Sequence, residues 1–96
     1  MHFADPGTRD IFDGLDTKAA RKTLPKALWR VAQRKLDMLQ AASKLEDLRV
    51  PPGNRLEALR GSLAGLYSIR INDRYRVVFR WDEREGVKDV RIVDYH

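Results

Sequence analysis

Three proton-handling side chains, Asp94, Tyr95 and His96, stand in a row behind an apolar, β-branched run that includes Val90, Ile92 and Val93. A strand in that run would fix the groups that follow it. Alternation along the strand places Asp94 and His96 on one face and Tyr95 on the other, unless the chain kinks at its end. Histidine is the side chain best poised to move protons near neutral pH. Cleavage of RNA by the internal route needs such groups. A base takes the 2′-hydroxyl proton, an acid protonates the departing 5′-oxygen, and positive charge stabilises the phosphorane between them. The ordinary alternative is a disordered chain end without a role.

The positive charge is at hand. Arg60, Arg70, Arg74, Arg76 and Arg80 fall in one strand-rich stretch, with Arg55 just ahead of it. Arginine presents a planar fork of donors that matches phosphate oxygens. Several arginines on one sheet face make a phosphate cradle; taken singly, each reads equally well as a solvated surface charge. Other chemistries lack their residues. The sequence has no Walker-type glycine loop and no spaced His/Cys/Asp cluster, and His2 and His96 lie at opposite ends. Ser43, Ser62 and Ser68 have no neighbours that would activate a nucleophile. No metal and no cofactor are expected.

The elements that must position these groups divide the chain in two. His2 to Ala4 is a short strand candidate, and Asp5-Pro6-Gly7 is a turn signal. Thr8 to Asp13 suits a helical turn ended near Gly14, and Asp16 or Thr17 suits the cap of a helix through Lys22 or Thr23. Pro25 fits the first turn of the next helix. There Leu28, Val31, Ala32, Leu36, Leu39 and Ala42 form a buried stripe, with Lys26, Arg30, Gln33, Arg34, Asp37 and Gln40 opposite. Leu45 to Leu48 adds a turn, and Val50-Pro51-Pro52-Gly53-Asn54 ends helical structure. Beyond it, Leu56 to Leu59 is a strand candidate. Tyr67, Ile69 and Ile71 share one face against Ser68 and Arg70. Asn72-Asp73 makes a hairpin turn. Tyr75, Val77, Phe79 and Trp81 then oppose Arg76, Val78 and Arg80, and Asp82 to Gly86 turns the chain into Val87 to Tyr95. The pattern predicts one α+β domain over residues 1–96, an antiparallel sheet with helices on one face.

Composition agrees. Ninety-six residues with 43% hydrophobic content suit one modest core. No apolar run approaches the roughly 20 residues of a membrane span, and the N-terminus lacks a signal-peptide pattern. The absence of cysteine excludes disulfides. A cytoplasmic protein without membrane contact is expected. Nineteen Lys and Arg against fourteen Asp and Glu give a net charge of +5, which suits a nucleic acid or an acidic protein partner, or simple solubility.

Two blocks and the closing residues resemble a known family. The run Pro51 to Gly61 (PPGNRLEALRG) and the run Tyr67 to Trp81 (YSIRINDRYRVVFRW), followed by Asp94-Tyr95-His96, are similar to HigB-type toxins of type II toxin–antitoxin systems, in the RelE/ParE superfamily. The order and spacing match from about Lys35 onward. The resemblance implies a RelE/ParE-like antiparallel sheet with two N-terminal helices packed on one face. It implies a ribosome-dependent endoribonuclease that cuts messenger RNA in the A site without metal. The partners it implies are the ribosome, messenger RNA and a HigA-type helix-turn-helix antitoxin, with operator DNA bound only through the antitoxin complex. By residue, it gives His96 and Asp94 acid–base or orienting roles, Tyr95 a positioning role, and Arg60 and Arg76 phosphate contacts. Arg55, Arg70, Arg74 and Arg80 are expected to support RNA binding.

One position departs from part of the family. Some relatives carry an active-site histidine where this chain has Glu57. Glu57 would serve as a base with a raised pKa, or pair with Arg55 or Arg60 as a structural carboxylate. The same fold also carries a different activity, a non-enzymatic ParE-type toxin that binds DNA gyrase. A third role, autoregulation in complex with the antitoxin, is compatible with either, and the polar side of the Pro25–Ala42 helix is then a candidate antitoxin surface.

Overall fold

The computed structural model of the protein describes residues 1–95. The first half holds helices α1 (Pro6–Phe12), α2 (Lys18–Thr23) and α3 (Trp29–Ala41). The second half holds strands β1 (Glu57–Ala58), β2 (Leu66–Arg70), β3 (Tyr75–Asp82) and β4 (Gly86–Asp94). They pair antiparallel in the order β1-β2-β3-β4. The α+β architecture expected from the sequence is therefore present. Among the described residues, no helix is long and apolar enough to cross a membrane.

Local signals set the helix starts. Asp5 Oδ1 accepts from the Thr8 amide at 2.7 Å, with Pro6 in the first turn of α1. Thr17 Oγ1 accepts from the Ala20 amide at 3.1 Å to cap α2, and donates to Asp10 Oδ2 at 2.6 Å, which ties α2 to α1. Pro25 does not open an α-helix directly. It precedes a 3₁₀ turn, Lys26–Leu28, that runs into α3.

One face of the sheet and the helical layer share a core. α3 contributes Trp29, Ala32, Leu36 and Leu39, and the sheet contributes Ile69, Ile71, Val77, Phe79, Val87, Val90 and Ile92. Leu28, Val31 and Ala42, at the margins of the predicted stripe, are half-buried. Trp29, which the periodicity reading passed over, is 8% exposed and donates from Nε1 to the Leu24 carbonyl at 2.8 Å. A buried indole N–H usually finds such a partner.

The segment ahead of α1 is tied to β4. Phe3 forms a parallel bridge with Val90, the Val90 amide donates to the His2 carbonyl at 2.9 Å, and the Ile92 amide donates to Thr8 Oγ1 at 3.1 Å. The expected strand over His2 to Ala4 is reduced to this one bridge. The cause lies in β4, where the register shifts between Val78 and Arg80 and Asp89 takes φ 52°: an extra residue bends the strand away.

α1 and α2 approach at Gly7. A Cβ built there would stand 1.8 Å from Thr23 Oγ1 and 2.7 Å from the Ala19 carbonyl oxygen. Backbone lies behind the side chain, so little can yield. Gly7→Ala is expected to cost about 1–3 kcal/mol through overpacking, read as a lower urea midpoint at unchanged slope.

Candidate functional site

The second face of the sheet is not the solvated cationic surface that alternation suggested. Leu66, Ser68, Arg76 and Val78 are buried on it, Arg76 at 8% exposed. A buried guanidinium must have its donors matched, and here most are. Nε donates to Ser68 Oγ at 2.8 Å and Nη2 to the Arg55 carbonyl at 2.5 Å, with the Ser68 carbonyl at 3.5 Å. The Arg55 carbonyl is presented by a left-handed backbone, φ 47°, just after the 3₁₀ turn Pro52–Asn54. A non-glycine residue with that φ persists only where its surroundings hold it; the bond from Arg76 is one such restraint.

The remaining edge of Arg76 faces outward. Nη1 lies 3.8 Å from Glu57 Oε1, and the guanidinium sits 5.7 Å from the centre of the Tyr95 ring. Glu57 therefore pairs with Arg76, not with Arg55 or Arg60 as anticipated. The reason is register: Glu57 lies opposite Ser68 across β1–β2, and Ser68 is the residue that holds Arg76. Ser68, Arg76, Glu57 and Tyr95 thus form a cluster in which a fixed cation adjoins an exposed carboxylate and an exposed phenol. A bound anion would replace Glu57 at Nη1 without disturbing the bonds to Ser68 and Arg55.

At the end of β4 the ladder continues to Tyr95, whose amide donates to the Arg74 carbonyl at 2.7 Å. That pairing puts Tyr95 on the face opposite Asp94, as alternation predicts, and the register of β3 with β4 makes this the Arg76 side. Asp94 accepts from Arg74 Nε at 2.9 Å and Nη2 at 2.7 Å. The hydrogen bonds that Arg74 donates to the Asp94 carboxylate, and the charge of that carboxylate, hold the Arg74 pKa above its ordinary value. This pair fixes the carboxylate two residues before His96. His96 itself lies outside the described residues.

The other predicted arginines divide into two groups. Arg70 pairs with Asp73, and Arg80 Nε lies 3.3 Å from Asp89 Oδ2. With Arg74 on Asp94, these cations would reach a phosphate only by exchanging a carboxylate. Arg55 and Arg60 are exposed and make no side-chain ion pair among the described residues. They flank β1, beside Glu57. Of the predicted arginines, Arg55 and Arg60 alone make no side-chain ion pair among the described residues, and Arg76 has only the long contact with Glu57.

Sequence reasoning missed two contributors. Asn54 is completely buried, and its amide donates to the Leu48 carbonyl at 3.2 Å and the Val50 carbonyl at 3.4 Å while Lys35 Nζ donates to its Oδ1. It sets the segment that presents Arg55. Arg91 pairs across the sheet with Val78 and lines a cleft of about 240 Å³ with Leu63, Leu66, Val78, Val93, Asp94 and Tyr95. The period of two that joins Val93 and Arg91 to opposite positions on β3 was available in the sequence; the bulge and the burial of the second face were not.

Comparison with known proteins agrees with the family resemblance. The family of HigB-like toxins, described as RelE-like toxins of type II toxin–antitoxin system HigB, matches residues 1–96. Toxin HigB-1 of Vibrio cholerae serotype O1 (strain ATCC 39315 / El Tor Inaba N16961) is 47% identical over 81 residues, covering 84% of this chain and 82% of that protein. An uncharacterized protein of Haemophilus influenzae (strain ATCC 51907 / DSM 11121 / KW20 / Rd) is 37% identical over 84 residues, covering 88% of this chain and 80% of its own. Among solved structures, a YoeB/ParE toxin from Agrobacterium tumefaciens aligns over 97% of this chain and 99% of its own, with a TM-score of 0.48 and 18% identity. The chain belongs to the HigB-like family of RelE-like toxins of type II toxin–antitoxin systems, proteins that are paired with an antitoxin.

Proposed function

We propose that this toxin is a cytoplasmic, ribosome-dependent endoribonuclease that cuts messenger RNA in the A site by acid–base chemistry of its own side chains. The observation that carries this reading is Arg76, buried and hydrogen-bonded, with its outer edge beside Glu57 and Tyr95 at the end of β4. In the reaction, the RNA 2′-hydroxyl loses its proton and attacks the adjacent phosphorus. The bond to the 5′-oxygen breaks, leaving a 2′,3′-cyclic phosphate, and that oxygen takes up a proton. Arg76 and Arg60 stabilise the phosphorane charge. His96 is the proton-transfer group that chemistry best suits, and Asp94, which Arg74 holds, takes the acid–base or orienting role beside it. Glu57 is the candidate second proton carrier; Tyr95 packs on the substrate. A HigA-type antitoxin keeps the toxin inactive and brings it to operator DNA only as a complex.

The test is cleavage of a defined messenger RNA by translating ribosomes against a ribosome-free control. Cuts that require ribosomes are expected. Intact messenger RNA together with inhibition of DNA gyrase would move the assignment to the ParE-type reading. Adding the cognate antitoxin is expected to abolish cutting, and unchanged cutting in the complex would remove the proposed inhibition.

A further inference from the structure

We propose that Arg74 is a positioning residue for the cleavage reaction: from the β2–β3 turn it clamps the end of β4, so that Asp94 and Tyr95 meet the RNA in one fixed arrangement. The inference rests on the nuclease reading for its reaction. It moves Arg74 from the RNA contacts expected of it to a role played through its neighbours.

The turn that carries Arg74 is held by its own chemistry. Asn72 Oδ1 accepts from the Arg74 amide at 2.9 Å and from the Tyr75 amide at 2.8 Å, the side-chain turn that asparagine makes with the backbone just beyond it. The Ile71 and Asn72 amides donate to the Tyr75 carbonyl at 3.0 and 3.2 Å and close the hairpin. From this base Arg74 reaches the end of β4 twice. Its carbonyl accepts from the Tyr95 amide at 2.7 Å, and its guanidinium donates to Asp94 Oδ2 from Nε at 2.9 Å and from Nη2 at 2.7 Å. The guanidinium also lies 5.3 Å from the centre of the Tyr75 ring, and Tyr75 is the register partner of Asp94. One residue, 20 positions before Asp94, thus ties both the main chain and a side chain of that segment.

Chain ends fray unless they are tied down, and the last register pair of β3 with β4 is Tyr75 with Asp94. The backbone bond at Tyr95 holds the strand but leaves the Asp94 side chain its rotamers. Two charge-assisted bonds to one carboxylate oxygen select one of them. Their effect falls on geometry more than on stability. The Arg74 and Asp94 side chains are 54% and 39% exposed, and ion pairs so open to water contribute little to folding. A displacement of about 1 Å in a reacting group, by contrast, slows a reaction by about 10²-fold. Phosphate binding by Arg74 would undo this arrangement, since the same Nε and Nη2 donors would have to leave Asp94. Arg76, whose Nη1 has only the long contact with Glu57, supplies a cation for the phosphate without that exchange.

The test compares Arg74→Ala, Arg74→Lys, Asp94→Ala and the Arg74→Ala/Asp94→Ala double variant of the full-length toxin. In ribosome-dependent cleavage, Arg74→Ala is expected to lower kcat on the order of 10- to 100-fold with KM unchanged. Arg74→Lys should fall with it, because lysine keeps the charge and lacks the two coplanar donors. The Tyr95 amide should exchange roughly 2- to 5-fold faster in both variants while the thermal transition stays in place. In the Asp94→Ala background, Arg74→Ala should slow cleavage no further. A raised KM that lysine rescues, with the salt slope of ribosome binding reduced by about one, would identify a phosphate contact and overturn the inference. So would a wild-type kcat in Arg74→Ala, unmoved exchange at Tyr95, or an undiminished further loss in the Asp94→Ala background. Should Arg74→Ala unfold, Arg74→Lys carries the same comparisons. Full-rate cutting by both Arg74 variants sinks this inference alone. Intact messenger RNA with the wild-type toxin sinks the nuclease reading, and growth arrest on induction then replaces kcat as the readout of the clamp.

Discussion

Arg76→Ala is expected to lower ribosome-dependent cleavage by about 10²–10³-fold, the usual cost of removing a preorganised donor aimed at developing charge. The loss should fall on kcat, with KM little changed, because the phosphorane needs the cation more than the ground-state phosphodiester does. Arg76→Lys should recover little of it. A lysine keeps the charge but cannot donate at once to Ser68, to the Arg55 carbonyl and to a ligand from a planar fork. Since Arg76 also holds the Arg55 segment, stability must be measured beside rate. Ser68→Ala separates the two roles: it removes the acceptor at Nε and leaves the cation, so it should loosen the fold while sparing most of the rate. If Arg76→Ala matches Ser68→Ala in both readouts, Arg76 is a structural residue and the phosphate role passes to Arg60. The companion change His96→Ala tests proton transfer, with an expected loss of about 10²–10⁴-fold and the disappearance of one limb of the pH–rate profile.

The division between charge stabilisation and proton transfer was legible in the sequence only in outline. Alternation through Tyr67–Ile71 and Tyr75–Trp81 was enough to assign which side chains enter the core, because a one-residue slip would have exposed Ile69, Val77 and Phe79 together. The same alternation set Tyr95 on the face opposite Asp94; that this is the Arg76 side follows from the β3–β4 register. Cap chemistry at Thr17 was equally readable, since the hydroxyl has one productive use at that position. What alternation does not encode is how deeply the second face is covered. Arg76 and Ser68 looked like solvated positions because polar residues usually are, yet both are buried, with the Arg55 carbonyl and Glu57 set against Arg76. The path of the chain there depends on the left-handed Arg55 and on a side chain 19 positions away from the lysine it meets. Strand β1 shrank for a related reason. Leu56–Leu59 reads as a strand by composition, but only Glu57 and Ala58 pair before Gly61, at φ 64°, turns the chain. Arg91 was overlooked because its sequence neighbours, Val90 and Ile92, mark it as an ordinary exposed residue. The bulge at Asp89 and the cleft beyond it give it a different environment.

Asn54→Ala is expected to lower stability by about 3 kcal/mol, a substantial part of the 5–15 kcal/mol that holds a domain together. Asparagine is the residue whose single amide can donate to the Leu48 and Val50 carbonyls and still accept from Lys35. Alanine leaves those carbonyls without that donor and Lys35 without its acceptor. The lysine is already held below its ordinary pKa, by burial first and then by the charges of Arg34 and Arg70. It has little to gain from staying once Asn54 is gone. The sign of the lysine effect follows. A depressed lysine penalises folding while it is charged, so stability gains as pH rises from the folded pKa toward 10.5. Lys35→Met should therefore cost less in the Asn54→Ala background than in the wild type, which a double-mutant cycle in urea measures. Additive losses would mean that the lysine draws its stability elsewhere. Because Asn54 precedes Arg55, the same substitution should also slow cleavage, through the carbonyl that steadies Arg76. A variant that loses stability yet cleaves at the wild-type rate under folded conditions would show that Ser68 alone suffices to aim that guanidinium.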